Sequence, residues 1–263
     1  MNTTTKVRHK KCLEYIKSRK FTTVADLVGF LQVSPITVRR DLVLLDQQNL
    51  VTRVYGGVVP YGISYDASND PGVEMILRLN VNTDEKKLLA EQAASLVTDG
   101  QVVFIDAGST CYHIARFLSE KKIIVVTNSL IVVNFLRTFP NIRLLILSGE
   151  YYPNLDAFIG TAENSILENI ALDIAFIGTA YFDLTKGCFN DTFSEKEIKN
   201  TVNSNAREPY IVFDSSKTIR SSPFLSIPIE KVKNIITTSR VSDKTNFAAL
   251  LEKNNINALF AGA

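Results

Sequence analysis

Asp106-Ala107-Gly108-Ser109-Thr110 follows the apolar run Val102-Val103-Phe104-Ile105 and opens a stretch with helical spacing. A Gly-Ser-Thr segment at a helix start offers backbone N–H groups, two hydroxyls and the positive end of the helix dipole, a combination suited to phosphate. Alone it would be an ordinary helix cap. Four more apolar runs end in the same manner: 124–126 in Thr127-Asn128-Ser129, 144–147 in Ser148-Gly149-Glu150, 174–177 in Gly178-Thr179, and 211–213 in Asp214-Ser215-Ser216-Lys217. If these runs are parallel strands, their carboxyl ends share one rim, where open parallel sheets bind ligands. The chemistry favoured there is phosphate on Gly108, Ser109 and Thr110, with Lys199 and Lys217 neutralising it and Asp106 and Asn128 bonding sugar hydroxyls. Glu195 and Lys199 fall at i and i+4 of a helical stretch beginning at Ser194, so a surface ion pair competes with pocket duty for them. Asp106, Glu195 and Lys199 could also supply an isomerase with acid, base and cation.

A second chemical group lies near the N-terminus. Ser34-Pro35 places a capping hydroxyl before a proline at the first helical position. Val38, Leu42 and Leu45 then recur at i, i+4 and i+7 and face a core, while Thr37, Arg39 and Arg40 project elsewhere. Arginine on such a face can hold a phosphate or donate two hydrogen bonds to a guanine edge. Asp41 is expected to pair with a neighbouring arginine or cap locally, since a carboxylate beside phosphates is unfavourable.

These side chains need elements to position them. Val7, Leu13 and Ile16 predict a first helix over 6–18; Thr22 or Thr23 caps a second, with Asp26 three residues after Thr23 in capping-box spacing and Val24, Leu27, Val28 and Leu31 as its apolar stripe. Residues 32–34 are a short break before the third helix. Residues 50–59 read as two short strands around a turn, a wing. Two helices joined by a tight turn, the second polar and cationic at its start, is what entry into the major groove of DNA requires. Charge agrees: residues 1–60 hold ten basic and four acidic side chains, net +6, whereas the remaining 19 basic and 23 acidic leave −4. The positive potential is local, as for a domain that must lie against a polyanion.

Beyond residue 83, apolar β-type runs alternate with helical stretches, the order of an α/β domain with a mainly parallel sheet. Strands are expected at 101–106, 123–127, 143–147, 174–178, 210–213 and 234–237. Helices are expected at 85–98, 110–118, 129–138, 161–169, 194–204 and 245–253. Residues 60–82, rich in Pro, Gly and Asn, read as a linker with a helical piece near 74–78. The expected organisation is a helical, winged N-terminal domain at 1–59, the linker, and an α/β domain at 83–263.

The segment Val33-Ser34-Pro35-Ile36-Thr37-Val38-Arg39-Arg40-Asp41-Leu42, followed by Leu50-Val51-Thr52-Arg53-Val54-Tyr55-Gly56-Gly57, resembles the signature of the DeoR family of bacterial regulators. Asn49 stands where glycine is common and Tyr55 where histidine is common. Asn49 can still take the left-handed conformation after a helix. Residues 80–239 resemble the effector domain of that family and, through it, the ribose-5-phosphate isomerase type of fold. The resemblance implies a repressor of a carbohydrate-use operon that binds operator DNA in two half-sites, as a dimer or tetramer, under control of a phosphorylated sugar. Together with the helix pattern it makes Thr23, Ser34, Pro35, Thr37, Arg39, Arg40, Arg53 and Tyr55 the candidate DNA contacts. It assigns the ligand pocket to Asp106, Gly108, Ser109, Thr110, Thr127, Asn128, Ser129, Glu195, Lys199, Asp214 and Lys217, and the strand-end pattern adds Gly149 and Gly178 to the rim. The family often carries a Gly-Gly pair and then an arginine after the third strand; Ser148-Gly149-Glu150-Tyr151-Tyr152-Pro153 has neither, which leaves ligand identity open.

The bulk numbers narrow the classes. With 46% hydrophobic and 21% charged residues, the 263-residue chain has the make-up of a globular protein of one small and one medium domain. Three widely spaced cysteines and two histidines suggest neither a disulfide framework nor a metal site. No cofactor is implied. The N-terminal residues lack a signal-peptide core and no run approaches membrane-spanning length, so a cytoplasmic protein is expected.

Overall fold

The computed structural model describes residues 3–19, 22–54, 57–61, 75, 78–79, 81–160, 166–219, 222–242 and 247–262, which fall into two compact units, 1–81 and 82–263.

In the smaller unit, α1 (Thr3–Lys17), α2 (Val24–Leu31) and α3 (Pro35–Gln47) surround a core of Cys12, Ile16, Leu27, Val38, Leu42, Leu45, Val51 and Val58. The expected stripe supplies most of these; Val7 is exposed instead, and Cys12 fills the first helix's buried face. A capping box starts α2: Thr23 Oγ1 accepts from Asp26 N, and Asp26 Oδ2 accepts from Thr23 N, both at 2.9 Å. Gln32 ends that helix in the left-handed conformation, φ 53°, with its N–H on Val28 O. Only two residues later Ser34 caps α3, its Oγ accepting from Thr37 N, with Pro35 at the first turn. The wing strands β2 (Val51–Val54) and β3 (Gly57–Pro60) pair antiparallel, and β1 (Thr22–Thr23) adds a strand on the other side of β3 that the sequence pattern did not indicate. Asn49 takes φ 54° in the turn before β2.

The larger unit begins with α4 (Thr83–Ser95) and then alternates strand and helix: β4 (Val102–Ile105), α5 (Ser109–Phe117), β5 (Ile123–Thr127), α6 (Leu130–Leu136), β6 (Ile142–Ile146). A hairpin of β7 (Glu150–Tyr152) and β8 (Ala157–Ile159) precedes β9 (Leu172–Gly178). There follow β10 (Tyr181–Asp183), β11 (Gly187–Asn190), α7 (Phe193–Asn205), β12 (Ala206–Val212) and β13 (Phe224–Pro228). The described chain closes with β14 (Asn234–Thr238), α8 (Ser239–Ser242), α9 (Phe247–Lys253) and β15 (Asn257–Ala261). Residues 161–165 of the expected helix at 161–169 lie outside the described residues; 166 and 167 are helical. Most of the expected linker lies outside them too, while Met75, Arg78 and Leu79 are helical.

Seven strands form one parallel sheet in the order β15-β14-β12-β9-β4-β5-β6. Near-continuous apolar runs such as Val125–Val126 and 174–177 suit strands covered on both faces. From β4 the chain adds β5 and β6 on one side, then returns to place β9 on the other and builds outward. The order therefore reverses between β4 and β9, and the crevice at their carboxyl ends is the switch point where such sheets bind ligands. A smaller antiparallel sheet, β10-β11-β13, joins the core through stacked Phe182 and Phe213, ring centroids 4.7 Å apart. Gly187 permits that sheet: its φ is 111°, and a Cβ there would sit 2.2 Å from Ile227 O.

Candidate nucleic-acid interface and ligand site

At the start of α3 the exposed residues are Ser34, Pro35, Ile36, Arg39 and Arg40, with Thr37 half-buried. Ser34 Oγ and Thr37 Oγ1 lie 2.9 Å apart, so the two hydroxyls order one another at the helix start. Thr23, at the start of α2, spends its hydroxyl on the capping box. Tyr55 lies outside the described residues, as does the side chain of Arg53, whose backbone belongs to β2.

Asp41 is buried, and its partners differ from the neighbouring arginines expected for it. Arg8 of α1 donates to it from Nε at 2.5 Å and Nη2 at 2.9 Å, and His9 Nε2 stands 3.0 Å away. Burial works against its charge, but Arg8 and His9 outweigh burial and hold the carboxyl below its ordinary range. The pair fastens α3 to α1 across 33 residues, leaving Arg39 and Arg40 uncommitted to Asp41. Nothing local in the sequence marks Arg8 for this duty.

At the sheet rim, β4 leads through Asp106-Ala107-Gly108 into α5. Gly108 has φ 140° and no side chain with which to cap the helix, so among the described residues no side-chain cap covers the amides of its first turn. Ser109 and Thr110 line that turn, both largely buried. Beside it stand the residues that end β5. Thr127 Oγ1 donates to Ile105 O and accepts from Ser129 N, bracing β4 against β5. Asn128 Nδ2 donates to Phe158 O and Phe158 N to Asn128 O, which ties the β7–β8 hairpin to the rim. Asn128 Oδ1 and Ser129 Oγ are buried and have no hydrogen-bond partner among the described residues. Gly149 lies exposed at the base of the hairpin.

Across the switch point, Asp106 joins β4, β9 and α7. Its Oδ2 accepts from Lys199 Nζ and from Gly178 N at 2.9 Å, its Oδ1 from Ala107 N at 2.8 Å, and Lys199 Nζ also donates to Gly178 O at 2.8 Å. Both side chains are buried. Burial disfavours the Lys199 charge, yet Asp106 and then Glu195 outweigh burial and raise its pKa. Lys199 is thus matched internally, where the sequence had suggested a cation free to meet an anion. Nor does it form a surface pair with Glu195, which is itself buried and closes the capping box of α7: its Oε2 accepts from Thr192 N and Oγ1, its Oε1 from Asn190 Nδ2. Burial, helped by Asp106 and Asp191, pushes the Glu195 carboxyl up despite Lys199.

A second cluster occupies the ends of β12 and β14. Asp214 caps a short turn of 3₁₀-helix, Ser215–Thr218, through Ser216 N and Oγ, and accepts from Asn82 Nδ2 at 2.9 Å. Ser216, Asn82, Lys217 and Lys86 together outweigh its burial and lower its pKa. Glu85 receives Ser215 N, Ser215 Oγ, Thr238 Oγ1 and Arg240 Nη1 within 3.2 Å. These donors outweigh burial and lower its pKa as well. Lys217, half-buried, follows on the same turn. Asn82, Glu85, Thr238 and Arg240 were not legible as rim residues; an acidic first turn is an ordinary helix feature.

Two family models match: the DeoR-like helix-turn-helix domain over residues 8–61 and the DeoR C terminal sensor domain over residues 81–239. The chain belongs to the DeoR family. It is a DNA-binding transcriptional regulator, with its helix-turn-helix domain in the smaller unit and its sensor domain in the parallel-sheet unit. It is 29% identical over 239 residues to the HTH-type transcriptional regulator IolR of Bacillus subtilis (strain 168), covering 90% of this chain and 93% of that one. It is 32% identical over 243 residues to the lactose phosphotransferase system repressor of Lactococcus lactis subsp. lactis, covering 90% and 92%. Among solved structures, ribose 5-phosphate isomerase A from Methanocaldococcus jannaschii aligns with TM-score 0.39 at 23% identity over 52% of this chain and 55% of that one. Among the described residues, no helix is long and apolar enough to cross a membrane.

Proposed function

We propose that this regulator represses a carbohydrate-use operon and releases its operator when a phosphorylated sugar occupies the crevice between β4 and β9. The observation that carries the reading is the uncapped start of α5 at Gly108, beside the buried, unpartnered Asn128 Oδ1 and Ser129 Oγ. Gly108, Ser109 and Thr110 would hold the phosphate by amides and hydroxyls, with Lys217 as the cation on the rim. Asn128 and Ser129 would bond sugar hydroxyls. Asp106, Gly178, Glu195 and Lys199 act as positioning residues, since Asp106, Gly178 and Lys199 bond one another and Glu195 accepts from Thr192 and Asn190; Thr127 and Asp214 brace the walls, and Gly149 seats the hairpin.

In this reading residues 1–59 are the reader, 60–82 the linker and 83–263 the sensor, and the protein works in the cytoplasm as a homo-oligomer, at least a dimer on two half-sites. Thr37, Arg39 and Arg40 meet the major groove, Thr23, Ser34 and Pro35 set the helix starts, and Arg53 and Tyr55 belong to the wing. The bonds Asn82–Asp214 and Glu85–Ser215 tie the last linker residue and the first helix of the sensor to the turn that carries Lys217, which gives ligand occupancy a route to the linker. The ligand has only to bind one conformation better than the other. Turnover is not expected, because the acid, base and cation of an isomerase are committed to hold the fold.

A thermal-shift series with phosphorylated sugars and their unphosphorylated parents tests the sensor. A ligand at 100 times its Kd should add about 2.7 kcal/mol to apparent stability, and the parent sugar much less. Equal shifts from sugar and sugar phosphate would overturn the phosphate assignment, and turnover of ribose 5-phosphate would overturn the non-enzymatic one.

A further inference from the structure

Ile36 is 71% exposed, more than any other large apolar side chain among the described residues. It is the second residue of α3, flanked by exposed Ser34, Pro35, Arg39 and Arg40. At about 100° per residue it lies roughly 180–240° around the helix from Val38, Leu42 and Leu45, the residues that bury α3 in its own domain. Its side chain therefore points away from that core, on the face it shares with Arg40 one turn later. An isoleucine there lies outside the unit's buried core and exposes most of its apolar surface to water. In a regulator whose α3 enters the major groove, that face meets base edges. The one apolar group those edges present is the 5-methyl of thymine.

We propose that Ile36 is a specificity-determining residue that reads a thymine methyl in each half-site. This rests on the placement of α3 in the groove, as in the proposed function. Ser34 and Thr37 are occupied with each other at the helix start, and the arginines are donors suited to guanine or phosphate, so Ile36, with the shorter Pro35 ring beside it, supplies the largest exposed apolar group on this turn. Four residues along a helix span about 6 Å, close to two base steps of about 3.4 Å. The thymine read by Ile36 therefore lies within about two base pairs of the position contacted by Arg40.

The test uses the full chain and duplexes selected by it from a random library. Each thymine of the selected site is replaced in turn by 2′-deoxyuridine, which removes the methyl alone, and binding is titrated for wild type, Ile36→Ala and Arg40→Ala. One thymine per half-site should, on losing its methyl, weaken wild-type binding about fourfold, the effect of one buried CH₂. Ile36→Ala should be insensitive to that replacement, and sites selected by it should lose thymine there. Ile36→Val, which keeps a β-branched apolar tip, should retain the sensitivity. If wild type and Ile36→Ala respond alike to every replacement, Ile36 does not read thymine. If Arg40→Ala also binds as tightly as wild type, the placement of α3 fails instead, and the proposal with it. Because Ile36 is exposed, the alanine variant keeps its fold, checked by an unchanged thermal transition.

Discussion

Replacing Asp106 by asparagine leaves the Lys199 ammonium in a buried crevice with a carbonyl, Gly178 O, as its remaining strong acceptor. The carboxylate now takes three donors on two oxygens: Lys199 Nζ, Gly178 N and Ala107 N. Asparagine offers one oxygen and two added N–H groups, so one of its donors must point at another donor. Breaking a buried ion pair by removing one partner costs about 3–5 kcal/mol, because the surviving charge is uncompensated. For a unit of this size each kcal/mol lowers Tm by about 2–4 °C, so the transition of the larger unit should fall by about 6–20 °C. Asp106→Asn combined with Lys199→Met removes both charges and should recover most of the loss, since a buried pair exchanged for apolar groups is often close to neutral. The pH profile adds a sign. The Lys199 pKa is raised in the folded state, so its contribution is fully present below the ordinary lysine value of 10.5 and lost as pH rises through the raised one; wild type should show this alkaline loss and Asp106→Asn should not. Scanning calorimetry of the three proteins, with and without a stabilising sugar phosphate, decides the matter. An Asp106→Asn variant within about 1 kcal/mol of wild type that has lost only its response to ligand would refute the positioning role and make Asp106 a ligand contact.

Three further outcomes are expected. Arg40→Ala should weaken binding to the protein's own promoter by about 1–3 kcal/mol if the side chain reads a base; a mobility-shift titration with unchanged affinity rules that out. Ser109→Ala should bind operator normally but fail to be released by the inducing sugar phosphate, Lys217→Ala should need more of it, and normal release of Ser109→Ala would remove the pocket from the start of α5. Glu85→Gln should cost roughly 1–3 kcal/mol at neutral pH through its four donors. The Glu85 pKa is lowered, so that stability is present above its ordinary value of 4.5 and lost as pH falls through the folded one; urea midpoints of variant and wild type should converge near pH 3, and a difference that persists there contradicts the electrostatic origin.

What could be read from the sequence was whatever is written locally. The Thr23–Asp26 capping box, the Ser34-Pro35 start of α3, and the apolar runs that became β4, β5, β6, β9, β12 and β14 all lie within a few residues of their own signal. Strands β7, β8, β10, β11 and β13 are three to five residues long and were missed, because so short a run shows no clear period, and β15 was hidden behind the helix before it. The site divides in the same way. Gly108-Ser109-Thr110 was visible as a segment, but the partners of Asp41, Asp106 and Glu85 lie 33, 93 and 130 residues away in the chain. No spacing rule reaches that far. Lys199 was accordingly read as an available cation, when the fold brings it to Asp106.

That exchange changes what the crevice asks of its ligand. Lys199 is matched by Asp106, and Glu85 by Arg240 and hydroxyl and amide donors, so the deeply buried charges of the rim carry partners before any ligand arrives. The capacity left over is neutral and directional: the first-turn amides of α5, the hydroxyls of Ser109 and Thr110, Asn128 Oδ1 and Ser129 Oγ. Fixed dipoles of this kind favour an anion without a full countercharge in contact with it. The segment 148–153, which has no arginine, adds none. Lys217 at the edge then has a long-range role that salt can screen, whereas the amides of α5 do not. Raising ionic strength from about 0.05 to 0.5 M should therefore weaken sugar-phosphate binding to wild type by no more than the loss seen in Lys217→Ala at low salt, and should leave the affinity of that variant nearly unchanged. A steep salt dependence surviving in Lys217→Ala would mean that another cation, and not the helix start, holds the phosphate.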